Sequence, residues 1–234
     1  MKEKTKEHVA ASSNELNKLR ASVLGANDGI VSVAGLVLGV AGAAASRETI
    51  LIAGVAGVVS GAISMAAGEF VSVSSQRDSE RAFLIRRRKH IAANHDSVTE
   101  ELVEIYRTKG FSKKTAQQAA SELKEKGFLN RELEKESGID PEDISSPWSA
   151  AIASATAFTA GSLIPLLAIV FAPEGWRIWI TVFAVLLSLV LTGALSARAG
   201  QANKLTAALR VVIWGVGAMA ITYVVGHLIG LSLG

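Results

Sequence analysis

Apolar positions along this chain are clumped rather than periodic. Two long apolar blocks, residues 22–75 and 148–233, flank a polar middle dense in Lys, Arg, Glu and Asp. A bilayer core about 30 Å thick takes roughly 20 apolar residues in helical form to cross, and backbone within it must satisfy its own hydrogen bonds. The blocks supply five such lengths, near residues 22–45, 50–75, 149–172, 177–197 and 208–233. They are separated by "SRET" at 46–49, "APEG" at 172–175 and "SARAGQANK" at 196–204. The pattern predicts an all-α, five-helix transmembrane protein with a helical insertion between spans 2 and 3. Its parts are residues 1–75 (an N-terminal helix and spans 1 and 2), 76–146 (the insertion) and 147–234 (spans 3 to 5).

The insertion has helical punctuation of its own. Span 2 is expected to continue to about residue 93, followed by "SVTEELVEIYRTKG" ending at Gly110 and "SKKTAQQAASELKEKG" with Ser112 as N-cap and Gly127 as stop. A last helix, "LNRELEKESG", closes at Gly138.

Charge sets the orientation. Lys18 and Arg20 precede span 1; Arg77, Arg81 and the run Arg86, Arg87, Arg88, Lys89 follow span 2; Arg198, Lys204 and Arg210 lie between spans 4 and 5. The opposite loops hold only Arg47 and Arg177, so the N-terminus and insertion are expected in the cytoplasm. The N-terminal segment is charged throughout and lacks the apolar core of a cleavable signal peptide. A net charge of +3, thinly spread, gives no basis for nucleic-acid binding, and the absence of cysteine excludes disulfides and thiolate metal sites. No HExxH, GxSxG or Walker A motif is present, so neither an enzyme nor a resident cofactor is expected.

Chemistry enters with three side chains inside the spans: Asp28 in "GANDGIVS", and Met65 and Glu69 in "GAISMAAGEF". A carboxylate within the bilayer costs on the order of 2.5–3.5 kcal/mol on insertion scales and normally faces a bundle interior or an aqueous path. Asp28 lies eight residues past Arg20 and Glu69 eight before Arg77, which puts both about 12 Å in from the cytoplasmic charges at 1.5 Å per residue. Met65, one turn deeper than Glu69 on the same face, would sit about 18 Å in. Two hard carboxylates and a softer thioether suit a divalent transition ion better than Ca2+ or Mg2+, and the same carboxylates can carry protons. Gly25 and Gly29 beside Asp28 suggest a loosened helix whose carbonyls assist. Blander readings exist: Glu69 snorkelling to the interface, Met65 as packing, Asp28 capping a helix that starts at Gly29. His227 and Pro165 read first as an anchor and a packing feature, and Trp148, Trp176 and Trp179 as interfacial belts.

At these residues the sequence resembles the vacuolar iron transporter family, in a bacterial-type version. The matching stretches are "LRASVLGANDGIVSVAGLVLGVAGA", "GAISMAAGEFVSVSSQRDSE" and "PWSAAIASATAFTAGSLIPLLA". The resemblance implies a homodimer of five-span subunits that moves Fe2+, or Mn2+, out of the cytoplasm in exchange for protons, here across a bacterial inner membrane. Asp28 and Met65 then match the ion-path aspartate and methionine, and Glu69 the acidic residue of the same motif. It also implies that residues 76–146 form a cytoplasmic metal-binding insertion. There the chain departs from the family: Arg87 and His90 stand where acids are usual, and Val98 stands near another. Glu101, Glu132 and Glu136 fit the remaining positions, with His90 as a substitute ligand. The rival readings are a membrane-anchored interaction or regulatory protein without transport activity, and a passive cation channel.

Overall fold

The computed structural model describes residues 13–125, 132, 146–199 and 203–233. Among these residues there is no β-strand. The helices are α1 (Ser13–Gly42), α2 (Arg47–Ala93), α3 (His95–Thr108), α4 (Lys113–Glu125), α5 (Pro147–Phe171), a 3-10 turn (Glu174–Trp176), α6 (Arg177–Ala199) and α7 (Lys204–Leu233). Five stretches are long and apolar enough to cross a membrane: Asn17–Gly42, Arg47–Ala93, Pro147–Phe171, Glu174–Arg198 and Lys204–Ser232. The protein is therefore an integral membrane protein. The first span begins five residues earlier than the expected residue 22, because the polar turn "NKLR" continues the helix instead of ending it.

Helix ends follow from local chemistry. The Ser46 hydroxyl accepts the Thr49 backbone N–H at the start of α2, and the Asn203 side-chain oxygen accepts those of Leu205 and Thr206 at the start of α7. Ser146 takes the N-cap position of α5, with Pro147 next to it where a missing N–H costs nothing. That helix runs unbroken through the buried Pro165 and ends before Pro173.

The chain divides into two compact units. The larger comprises Glu15–Ser72 and Ser146–Gly234. Its core is apolar, built from Ile30, Val33, Val37 and Leu38 of α1, Phe158 and Ile169 of α5, Val185 and Leu189 of α6 and Met219 of α7. α1 is its centre. A Cβ added at Gly25 or Gly29 would strike the backbone carbonyl of Ser154 or Phe158 on α5, and one at Gly39 would lie 3.1 Å from the Thr222 carbonyl on α7. On α2, Gly57 abuts Leu36 of α1, and Gly61 abuts the Phe158 ring of α5. Small residues let these backbones approach closely enough to pack in lipid, where burying apolar surface gives no net drive. Large apolar side chains such as Ile52, Phe183 and Trp214 point outward, as expected where the surrounding solvent is acyl chain.

At one end of this unit two loops hold each other. Arg47 donates from Nη2 to the Ala172 carbonyl, the C-cap of α5, at 3.1 Å, and Arg177 donates from Nη2 to the Ala45 carbonyl, just past α1, at 3.3 Å. Each guanidinium satisfies a carbonyl that a helix end leaves without an internal partner. The connecting turn carries Ala44 at φ +58°. Nearby, His227 stacks parallel to Tyr223 with its Nδ1 3.3 Å from the Gly42 carbonyl, matching the anchor reading.

The smaller unit comprises Met1–Asn14 and Val73–Ser145. Ile91, Val98, Leu102 and Ala120 form its core. α3 closes as the sequence predicts: Gly110 adopts φ +95°, and the N–H of Phe111 reaches back to the Tyr106 carbonyl at 3.1 Å. The Tyr106 and Phe111 rings then meet, 5.8 Å between centroids, sealing the turn with an apolar contact. Ser112 caps α4 by accepting the Thr115 N–H. The expected stops at Gly127 and Gly138, and the helix at residues 129–138 apart from Glu132, lie outside the described residues, as does the charged segment of residues 1–12.

Candidate functional site

Glu69 sits on α2 in a span and is only 7% exposed. Arg20 reaches it from the first turns of α1, and the next residue, Phe70, packs on Trp148 at the start of α5, centroids 4.9 Å apart. Nη2 of Arg20 lies 3.7 Å from Oε2 of Glu69. That is an ion-pair distance and too long for a hydrogen bond, so Oε2 is buried without a hydrogen-bond partner. The two partners differ in setting, for the Arg20 side chain is 57% exposed and the Glu69 side chain 8%. Glu69 is therefore held inside the bundle and does not snorkel out.

Asp28 lies within the unbroken helix α1 and is half-buried. The expectation of a loosened helix at Gly25 and Gly29 is corrected: both glycines are helical, and their missing side chains serve the crossing of α1 with α5. Capping by Asp28 of a helix starting at Gly29 is excluded for the same reason. The Asp28 carbonyl accepts the Ser32 hydroxyl at 2.5 Å, and its carboxylate makes no hydrogen bond or ion pair to Glu69 among the described residues. Beside it, Asn27 buries an Oδ1 that has no donor, and on α5 Ser154 buries an Oγ without a partner. Met65 is partly buried and packs against the apolar core.

The sequence reading missed two of these features. Arg20 entered as a topology charge, not as the partner of Glu69, and Asn27 was passed over because it adjoins a carboxylate. Counting every polar side chain within the span, in place of ionisable ones alone, would have found Asn27.

In the smaller unit the candidate acids have protein partners. Arg87 donates from Nη2 to Oε1 of Glu101 at 2.6 Å, a short charge-assisted bond, and the Tyr106 hydroxyl donates to Oε1 of Glu132 at 2.9 Å. Val98, which stands near an expected acid, is fully buried in the core of this unit. His90 is exposed, its Nδ1 3.4 Å from the Asn94 amide. Glu136 lies outside the described residues. Among the described residues no three His, Cys, Asp or Glu side chains are gathered to hold a metal ion.

The arrangement in the spans can neutralise a cation and pass a proton. Comparison with known proteins gives the family. The sequence model of the VIT family matches residues 19–227. A protein of Acanthamoeba castellanii named vacuolar iron transporter is 40% identical over 211 residues, which cover 90% of this chain and 78% of that protein. Vacuolar iron transporter homolog 3 of Arabidopsis thaliana is 37% identical over 231 residues, 97% of this chain and 91% of its own length. Vacuolar iron transporter homolog 1 of Oryza sativa is 36% identical over 214 residues, covering 91% and 74%.

Proposed function

The chain belongs to the VIT family, and from that premise we propose that it transports Fe2+ or Mn2+ out of the cytoplasm in exchange for protons. Asp28, Met65 and Glu69 form the route. The observation that carries this reading is the buried Glu69, whose Oε2 has no hydrogen-bond donor at a depth where an uncompensated carboxylate is costly. A divalent ion compensates that charge on arrival. A proton does so on departure, which ties the two fluxes together. Met65, one turn along the same helix, biases the choice toward ions softer than Mg2+.

One chain offers two carboxylates and a thioether in the spans, few ligands for a divalent ion, and a homodimer doubles them. The Lys and Arg distribution supports an N-terminus and an insertion on the cytoplasmic side; the membrane proposed is a bacterial inner membrane. In the insertion, the Arg87–Glu101 pair and the buried Val98 favour a packed accessory over a metal store held by His90, Glu101, Glu132 and Glu136.

The test is purified protein in liposomes carrying a metal-sensitive and a pH-sensitive dye. Mn2+ flux should be accompanied by a pH change, and Glu69→Gln and Asp28→Asn should each slow it by at least about tenfold, the equivalent of one lost charged ligand. Flux without a pH change would replace the antiporter by a passive channel, and no flux at all would leave a membrane-anchored regulatory protein. Parental rates in Glu69→Gln would remove Glu69 from the route.

A further inference from the structure

Arg20 is the cation that Glu69 has when nothing else is bound, and its geometry is unlike that of a structural salt bridge. A permanent buried pair gains its stability from short, preferably bidentate hydrogen bonds. Here the closest approach is 3.7 Å, Oε2 keeps no hydrogen bond, and the guanidinium is anchored to a side chain that is 57% exposed. The carboxylate is buried in the bundle, while its counter-ion is long and more than half exposed. Such a pair neutralises charge without holding on firmly.

We infer that Arg20 is a tethered counter-ion for Glu69, which an entering divalent cation must displace and which swings back once the carboxylate has released the proton that replaced the ion. The inference rests on the proposed role of Glu69 in the ion route. Displacement sets a charge threshold. A monovalent ion trades one positive charge for another and gains little, whereas a divalent ion brings twice the charge at shorter range. Arg20 thus contributes to selecting divalent over alkali cations without touching the ion. It also neutralises the carboxylate after the proton has left and before the next ion arrives, when an isolated charge would be most costly.

The experiment is Mn2+ binding to the purified full chain in nanodiscs, titrated at a pH well above the carboxylate range, for the parent, Arg20→Gln, Arg20→Lys, Glu69→Gln and the Arg20→Gln/Glu69→Gln double variant. Arg20→Gln should bind Mn2+ about three- to fivefold more tightly, the upper scale of one partly exposed ion pair, and should become sensitive to competition by 0.1 M K+. Arg20→Lys keeps the charge and should stay within about twofold of the parent. In the Glu69→Gln background the Arg20→Gln effect should vanish. Unchanged or weaker binding in Arg20→Gln, while Glu69→Gln still impairs binding, overturns the counter-ion role alone. If Glu69→Gln binds as the parent does, the ion route itself fails.

Discussion

Gly161→Ala is the sharpest probe of the packing that positions Asp28. A Cβ on Gly161 would lie 2.5 Å from the Ala26 carbonyl oxygen and 3.2 Å from Cγ1 of Ile30. The oxygen belongs to backbone inside α1, so it cannot rotate away. The two helices must part by about 1 Å, enough to forfeit a quarter to a half of each dispersion contact along the crossing. Alanine by itself favours a helix over glycine by about 1 kcal/mol, and overpacking against an atom that cannot move costs about 2–3 kcal/mol, the upper part of its usual range. The net expectation is a loss of about 1–2 kcal/mol, or a fall in melting temperature of about 2–8 °C for a chain of this size. The control is the same substitution at Gly217, where a new Cβ meets nothing within 4 Å; there the helix gain stands alone and the melting temperature should rise. Tryptophan fluorescence during heating in one detergent reads both. Gly161→Ala melting at or above the parent would show that the α1–α5 crossing is looser than described and does not fix Asp28.

Two further outcomes follow from contacts on the page. Arg47→Ala and Arg177→Ala each remove a charged hydrogen bond to a carbonyl, about 1.5 kcal/mol apiece. Because the two bonds tie the same pair of loops, the double variant should lose measurably less heat stability than the sum, and strict additivity would mean they act separately. Arg87→Glu should place like charges against Glu101, and calorimetry should find the smaller unit less stable by about 1 kcal/mol or more yet stabilised again by millimolar Mn2+. The transition of the parent's smaller unit should not respond to Mn2+, and a response there would return the insertion to the metal-binding class.

The spans were readable because apolar length is a composition signal that lipid enforces directly, and Gly110 and Ser112 were readable because their turn chemistry is local. What escaped the sequence depended on partners far away in the chain. Arg47 and Arg177 read in sequence as sparse charges on far loops, and only folding brings each to a carbonyl of the loop that holds the other. Gly25 and Gly29 suggested freedom of the backbone, but a glycine in a helix can equally be there for what crosses it, and here the crossing helix is α5. Glu69 was located by depth alone. Its burial and its unusual pairing with Arg20 depend on how α1 and α5 close over α2, which no spacing rule encodes.

The crossed arginines have a mechanical corollary. Short turns fastened to one another act as a pivot, so any rocking of the α1–α2 and α5–α6 hairpins has least travel there and most at the opposite rim. Arg20 and Glu69 stand near that opposite rim, both on the α1–α2 hairpin, so such rocking carries the 3.7 Å pair as a unit past Trp148 at the start of α5.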